Sequence, residues 1–269
     1  MSVAESILEQ GHYLAPVSKT IPFRNFVFGM TEYPHPVETG QWHAHENSMI
    51  SFVMDGGNIE NRKTSQIQRS CGSINFYHAF EAHQNIYQEF PSRHFSIEIN
   101  PFTLSAYGLE EEQICKAVNR NPFSKFLFLK ILNEVYINDC LSEDSVIMLF
   151  LELVHSNKLG IPDTTSPSWV NTLKELLNDN WNQQLSLQQL AEVTGIHPVT
   201  ISGNFRKYFS CTFGEYMRKI KVEQALSMIR NSSQNLTQIA HICGFADQSH
   251  FTRTFKQQTG LLPKKYKKL

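Results

Sequence analysis

No two of the five cysteines, Cys71, Cys115, Cys140, Cys211 and Cys243, are spaced as C-x-x-C, and their number is odd. This argues against a disulfide framework and against a structural zinc site built on paired thiolates. They read as free thiols used as small hydrophobes. Long apolar runs are scarce as well. The longest, VIMLFLELV at residues 146–154, is broken by Glu152 and falls far short of the roughly 20 residues a membrane helix needs. The opening MSVAESILEQ lacks the basic and apolar stretches of a secretory leader. A soluble protein of the cytoplasm, with no membrane partner, is expected. An excess of one charge is also missing. The formal net charge is −1, so the total points to no partner.

The distribution of charge says more. From Trp169 to the end there are 13 Lys and Arg against 6 Asp and Glu, a balance of +7, which leaves 11 against 19, or −8, for the rest. A basic part beside an acidic part is the footprint expected when one domain of two meets a polyanion. At 269 residues the chain is long enough for two domains, each with its own core.

From about Ile21 to Ile99 short β-prone runs, NFVFGM, MISFVM, SINFY and HFSIEI, alternate with turn-formers such as DGGN and SCGS. They predict an antiparallel barrel or sandwich. Beyond Pro101 the apolar period becomes helical in PFSKFLFLKILNEVYIND and SEDSVIMLFLELVHSN, with Ser142 as N-cap of the second. In the first, Phe126, Leu127, Phe128, Leu129, Ile131, Leu132, Val135 and Tyr136 spread over more than one stripe. That helix therefore needs two covering surfaces, supplied by its own domain or by a partner subunit. LGIPDTTSPS, residues 159–168, reads as a linker. The expected organisation is a multidomain α+β chain. Residues 1–158 form a β-barrel with flanking helices that senses an effector and dimerises, and residues 169–269 form an all-α domain.

The all-α part contains a repeat. SLQQLAEVTGIHPVTISGNFRKYF from Ser186 matches NLTQIAHICGFADQSHFTRTFKQQT from Asn235, with one extra residue in the second turn. Each copy opens with a capping box, Ser186 with Gln189 and Asn235 with Gln238. Each then predicts a short helix ending at Gly195 or Gly244, and a second helix. Two such helices form a helix-turn-helix, whose second helix suits the major groove of DNA. Between the copies, FGEYMRKIKVEQALSMIRNS places Tyr216, Ile220, Ala225 or Gln224, and Met228 at helical spacing, as expected for one joining helix.

The core faces of the second helices are marked by Ile201 with Phe205 and by Phe251 with Phe255, so the opposite faces follow from helical geometry. In the first copy these are Val199, Ser202, Gly203 and Arg206; in the second, Ser249, Thr252, Arg253 and Lys256. Arg253 can grip O6 and N7 of guanine with both arms of its fork, and Gln248 can pair with adenine in the same manner. Thr200, Ser202, Arg206, Lys207 and Lys256 suit phosphates. In the first copy, base information is left to Val199, Ser202 and Asn204, because Gly203 stands where the second copy has Arg253.

The stretch from about Leu185 to Tyr266, with its ending IAHICGFADQSHFTRTFKQQTGLLPKKYKK, resembles the AraC family of bacterial transcription regulators over about a third of the chain. The resemblance implies double-stranded promoter DNA and RNA polymerase as partners, and usually activation of transcription. The first copy departs from the family pattern in two places. Gly203 replaces a common arginine, and Phe209 and Ser210 replace a threonine-glycine pair.

WHAHENSMISFVMDGG and CGSINFYHAFEAHQ resemble the two motifs of a cupin barrel. His43, His45 and His83 fall where a metal-binding cupin has its histidines, but Ser48 and Met49 stand where a carboxylate ligand is expected, and Glu46 should face away. His43, His45, Tyr77 and His83 are therefore assigned to a pocket for an unknown small-molecule effector, with no metal or cofactor expected, in a homodimer that is not an enzyme. An iron-dependent enzyme using the three histidines, and a protein-interaction module without DNA affinity, remain the alternatives. His78 either lines the barrel mouth or faces water.

Overall fold

The computed structural model describes residues 6–37, 40–155, 167–183 and 185–269. These residues fall into two compact units that divide after Val154. All but Pro167 and Ser168 of the expected linker lie outside the described residues, and Ser168 already belongs to a helix.

In the first unit eight strands share one sheet: β1 (Ser6–Leu8), β2 (Val17–Pro22), β3 (Val27–Tyr33), β4 (His43–His45), β5 (Ser48–Arg62), β6 (Gln66–Ser70), β7 (Ile74–Tyr77) and β8 (His83–Ile99). The long β8 pairs with β3, β4 and β5, and β5 also pairs with β6 and β7. All pairings are antiparallel except that of β1 with β4. Two features differ from the sequence reading. Strand structure begins before Ile21, at β1 and β2, where few apolar residues signal it. DGGN is no turn but a stretch of β5, because two glycines let the strand bulge where it changes register against β8. Gly56 has φ +64°, and a Cβ there would lie 2.6 Å from the Pro91 carbonyl oxygen. SCGS does turn, with the Ser73 amide donating to the Ser70 carbonyl at 2.8 Å.

Alternation along the strands separates two faces. Phe52, Phe95 and Ile97 are buried on the helix side, where the Phe128 ring lies 5.7 Å from Phe52 and 5.3 Å from Phe95. Met49, Ser51, His94 and Ser96 face a polar cavity. The helices on the apolar face are α1 (Pro101–Ala106), α2 (Glu111–Arg120), α3 (Ser124–Ile137) and α4 (Ser142–His155). Every predicted core residue of α3 except Tyr136 is buried within its own unit, so no partner subunit is needed to cover that helix. Ser142 is the first residue of α4 rather than its N-cap. Its hydroxyl accepts from the Asp139 amide, while the Asp139 carboxylate accepts from the Leu141 amide. No helix among the described residues is long and apolar enough to cross a membrane.

The second unit is all helical: α5 (Ser168–Asp179), α6 (Leu187–Thr194), α7 (Pro198–Phe209), α8 (Phe213–Asn231), α9 (Leu236–Ile242), α10 (Gln248–Thr259) and α11 (Pro263–Lys268). Both expected capping boxes form, and α8 has a third, Thr212 with Glu215. The 19 residues of α8 bury Tyr216, Ile220 and Ala225 along one side. Tyr216 meets Phe205 and Phe209 of α7, with centroids 5.8 and 4.9 Å away. Farther along, Lys221 donates to the Gly244 carbonyl at 2.9 Å and Arg230 to the Tyr266 carbonyl at 3.3 Å. One rigid rod thus holds both helical pairs.

Candidate nucleic-acid interface and ligand pocket

The pairs α6–α7 and α9–α10 are each closed by a left-handed glycine, Gly195 at φ +70° and Gly244 at φ +67°. This conformation costs glycine nothing sterically and reverses the chain within a few residues. Burial then fixes the roll of the second helices. Ile201, Phe205, Phe251 and Phe255 are at most 2% exposed. On the outer faces Val199, Thr200, Ser202, Gly203, Arg206 and Lys207 are exposed on α7, and Ser249, Arg253 and Lys256 on α10. Thr252 is half-buried beside them.

Two predicted contact residues are already engaged. The Asn204 side-chain amide donates one of its two hydrogens to the Thr200 carbonyl one turn back at 2.9 Å, which ties the group to its own helix. The Gln248 Oε1 accepts from the Thr237 hydroxyl at 2.6 Å, which leaves the two amide hydrogens to face outward. Gly203 has open space around it, since a Cβ there would meet nothing within 4 Å. Its glycine is therefore not imposed by packing.

In the first unit β4, β5, β7 and β8 bring His43, His45 and His83 together, buried, with ligating nitrogens within 4.8 Å of one another. His43 Nδ1 lies 2.9 Å from the Gln41 carbonyl and His83 Nδ1 lies 3.0 Å from that of Glu81. These carbonyls favour a proton on Nδ1 and leave each Nε2 lone pair free. His45 Nδ1 is buried without a partner. Burial and the neighbouring imidazoles hold His45 down at about 3 and His83 at about 4, and burial lowers His43 as well. All three rings are thus neutral at pH 7 and able to donate lone pairs. The donor set fits a divalent transition ion, although no carboxylate joins it: Met49 lines the cavity where one was expected, and the Glu46 Oε1 accepts from the Gln10 amide at 2.7 Å.

Tyr77 contributes its ring, 4.5 Å from that of His83, but its hydroxyl is tied to Glu60 and, at 2.7 Å, to Arg69. Arg69 and Glu60 are a buried pair that the sequence reading missed, together with Tyr13, Tyr33, Tyr87 and His94 on the cavity wall. The only signal was a charge at an inward position of a strand, which becomes visible once register is known. The cavity measures about 40 Å³. That is room for an ion or a few waters, against the ~300 Å³ and more typical of drug-sized ligands. His78 lines the surface instead, half-buried, with Nδ1 2.9 Å from a Glu111 carboxylate oxygen.

A family model described as a helix-turn-helix domain matches residues 190–269. The uncharacterised HTH-type transcriptional regulator YijO of Escherichia coli (strain K12) is 24% identical over 167 residues, 60% of this chain and 59% of that protein. The HTH-type transcriptional activator RhaS of Escherichia fergusonii is 26% identical over 120 residues, 44% of this chain and 43% of that protein. The chain thus spans between two fifths and three fifths of the length of these curated relatives. A solved AraC-type transcriptional regulator from Chromobacterium violaceum is 20% identical, covering 37% of this chain and 89% of that one at a TM-score of 0.36. Two capped helix pairs hung on one rod agree with that match, and residues 190–269 are a helix-turn-helix domain.

Proposed function

We propose that the chain is a DNA-binding transcription regulator in which α7 and α10 enter successive major grooves of promoter DNA. The observation that carries this is the matched roll of the two helices, each burying an apolar face, Ile201 with Phe205 or Phe251 with Phe255, and presenting a polar, basic face outward. Arg253 reads guanine, Ser249 and Thr252 flank it, and Arg206, Lys207, Lys256, Thr200 and Ser202 hold phosphates. Binding to the chain's own upstream DNA across a salt series tests it. The log affinity should fall linearly with log salt, by about 0.9 for each phosphate neutralised. Absent or salt-independent binding would contradict it and favour an interaction module. One relative is named a transcriptional activator, and the chain would likewise activate transcription, through contact with RNA polymerase.

The first unit serves as the sensor. Its cavity takes a ligand much smaller than a sugar, and His43, His45 and His83 would hold a divalent ion there, which when bound supplies a fixed positive charge. Second copies of the chain would meet on the outer side of α3 and α4, where Tyr136, Ile137, Leu141 and Met148 are exposed. The enzymatic reading has one observation in its favour, the three converging histidines. Metal analysis of the purified protein decides: stoichiometric iron with turnover of a small substrate would overturn the pure sensor.

A further inference from the structure

A second group of metal-ligating side chains lies outside the pocket. The ligating atoms of His78, Glu112 and Cys115 lie within 4.8 Å of one another. The turn after β7 supplies His78, and the first turns of α2 supply the other two one helical turn apart. Glu112 and Cys115 are three residues apart, so helical geometry puts them on one face, toward the imidazole. From this we infer that His78, Glu112 and Cys115 form a zinc site that clamps α2 to the β7–β8 turn.

Three features beyond proximity support it. The Glu111 carboxylate holds His78 Nδ1 at 2.9 Å, the carboxylate–histidine arrangement that orients a ligating imidazole and leaves Nε2 for the ion. Asn119 donates to the Cys115 sulfur at 3.3 Å and orients it, while burial and the Glu112 and Glu81 carboxylates push the free thiol up, so that the arriving ion must itself displace the proton. His78 and Cys115 are half-buried and Glu112 is exposed, so an ion can reach them from solvent. Imidazole nitrogen, thiolate sulfur and carboxylate oxygen together suit zinc, and three protein ligands leave a fourth position for water. On binding, the Cys115 proton passes to solvent and Glu112 gives up its 3.3 Å pairing with Lys116. The clamped turn contains Glu81, whose carbonyl accepts from His83 and whose carboxylate accepts from the His78 amide at 3.0 Å. Zinc would therefore steady one wall of the buried pocket from outside.

Cobalt(II), a spectroscopic stand-in for zinc, distinguishes this site from the three buried histidines, which contain no sulfur. One equivalent added to the full chain should give a thiolate-to-cobalt charge-transfer band. The band should vanish in Cys115→Ser and survive in His45→Gln and in Cys140→Ser. Zinc competition should show a 10- to 100-fold weaker site in Glu111→Gln, roughly the usual loss on removing such an orienting group. A missing band in the wild type, or one that persists in Cys115→Ser, would overturn the assignment. As a second measurement, zinc should protect Cys115 from a thiol reagent while exposed Cys140 still reacts; equal labelling with and without zinc counts against the site.

Discussion

The two helix-turn-helix pairs share a design but not its execution. Both have a capping box, a left-handed glycine and a buried apolar pair, Ile201 with Phe205 in one and Phe251 with Phe255 in the other. At three places the second pair has the better residue. Asp247 caps α10 by accepting from the His250 amide at 2.7 Å, whereas His197 caps α7 through a longer bond of 3.3 Å to Val199. The left-handed residue that ends α10 is Gly260, while α7 ends on Ser210 at φ +56°, a conformation costly for a side chain. Arg253 stands on the outer face of α10 where α7 has Gly203. The lesson is that packing keeps both helices in place, while their ends and the side chains that project from them have diverged. In the proposed function this difference makes the first pair a positioning element and the second the reader.

The largest test of that comparison concerns what the pairs share. Phe205→Ala and Phe251→Ala should each destabilise the second unit by about 3–5 kcal/mol in urea unfolding, since both rings are fully enclosed. A much smaller loss at Phe205 would mean that α7 is not held as firmly as α10. Next comes what they do not share. Arg253→Ala should remove about 1–3 kcal/mol of discrimination against a wrong base, measured by competition with single-base variants of the site, while Ser202→Ala leaves discrimination nearly unchanged. Equal losses would abolish the division of labour. Asp247→Ala should lower the urea midpoint of the second unit and His197→Ala should lower it clearly less. Smallest in consequence is Gly203→Ala. With nothing near its Cβ, it should stabilise the second unit by up to about 1 kcal/mol and leave DNA affinity unchanged. Destabilisation would contradict the open space around Gly203, and a sharp loss of affinity would mean that the helix backbone lies against DNA there.

Much of the second unit could be read from the sequence because its determinants are local. Ser186 and Gln189, or Asn235 and Gln238, meet within one turn, and Gly195 and Gly244 need no distant partner to reverse the chain. The first unit was less legible for the opposite reason. Glu60, Arg69 and Tyr77 meet only after β5, β6 and β7 pair, and a register slip of one residue would turn each to the other face. DGGN carried a turn signature, yet those glycines serve a bulge because Pro91 on β8 crosses close by. The engagement of Gln248 by Thr237 was hidden too, since the one-residue insertion between α9 and α10 sets which side chains meet.

The central claim is that two equivalent helices carry unequal sequence information. Selection of binding sites from randomised DNA by the full chain tests it most directly. The account predicts one half-site with firm base preferences, including a guanine lost in Arg253→Ala, and a second, about one helical turn away, that is weakly specified. Two half-sites of equal information in the wild type, or a guanine preference that survives Arg253→Ala, would contradict it.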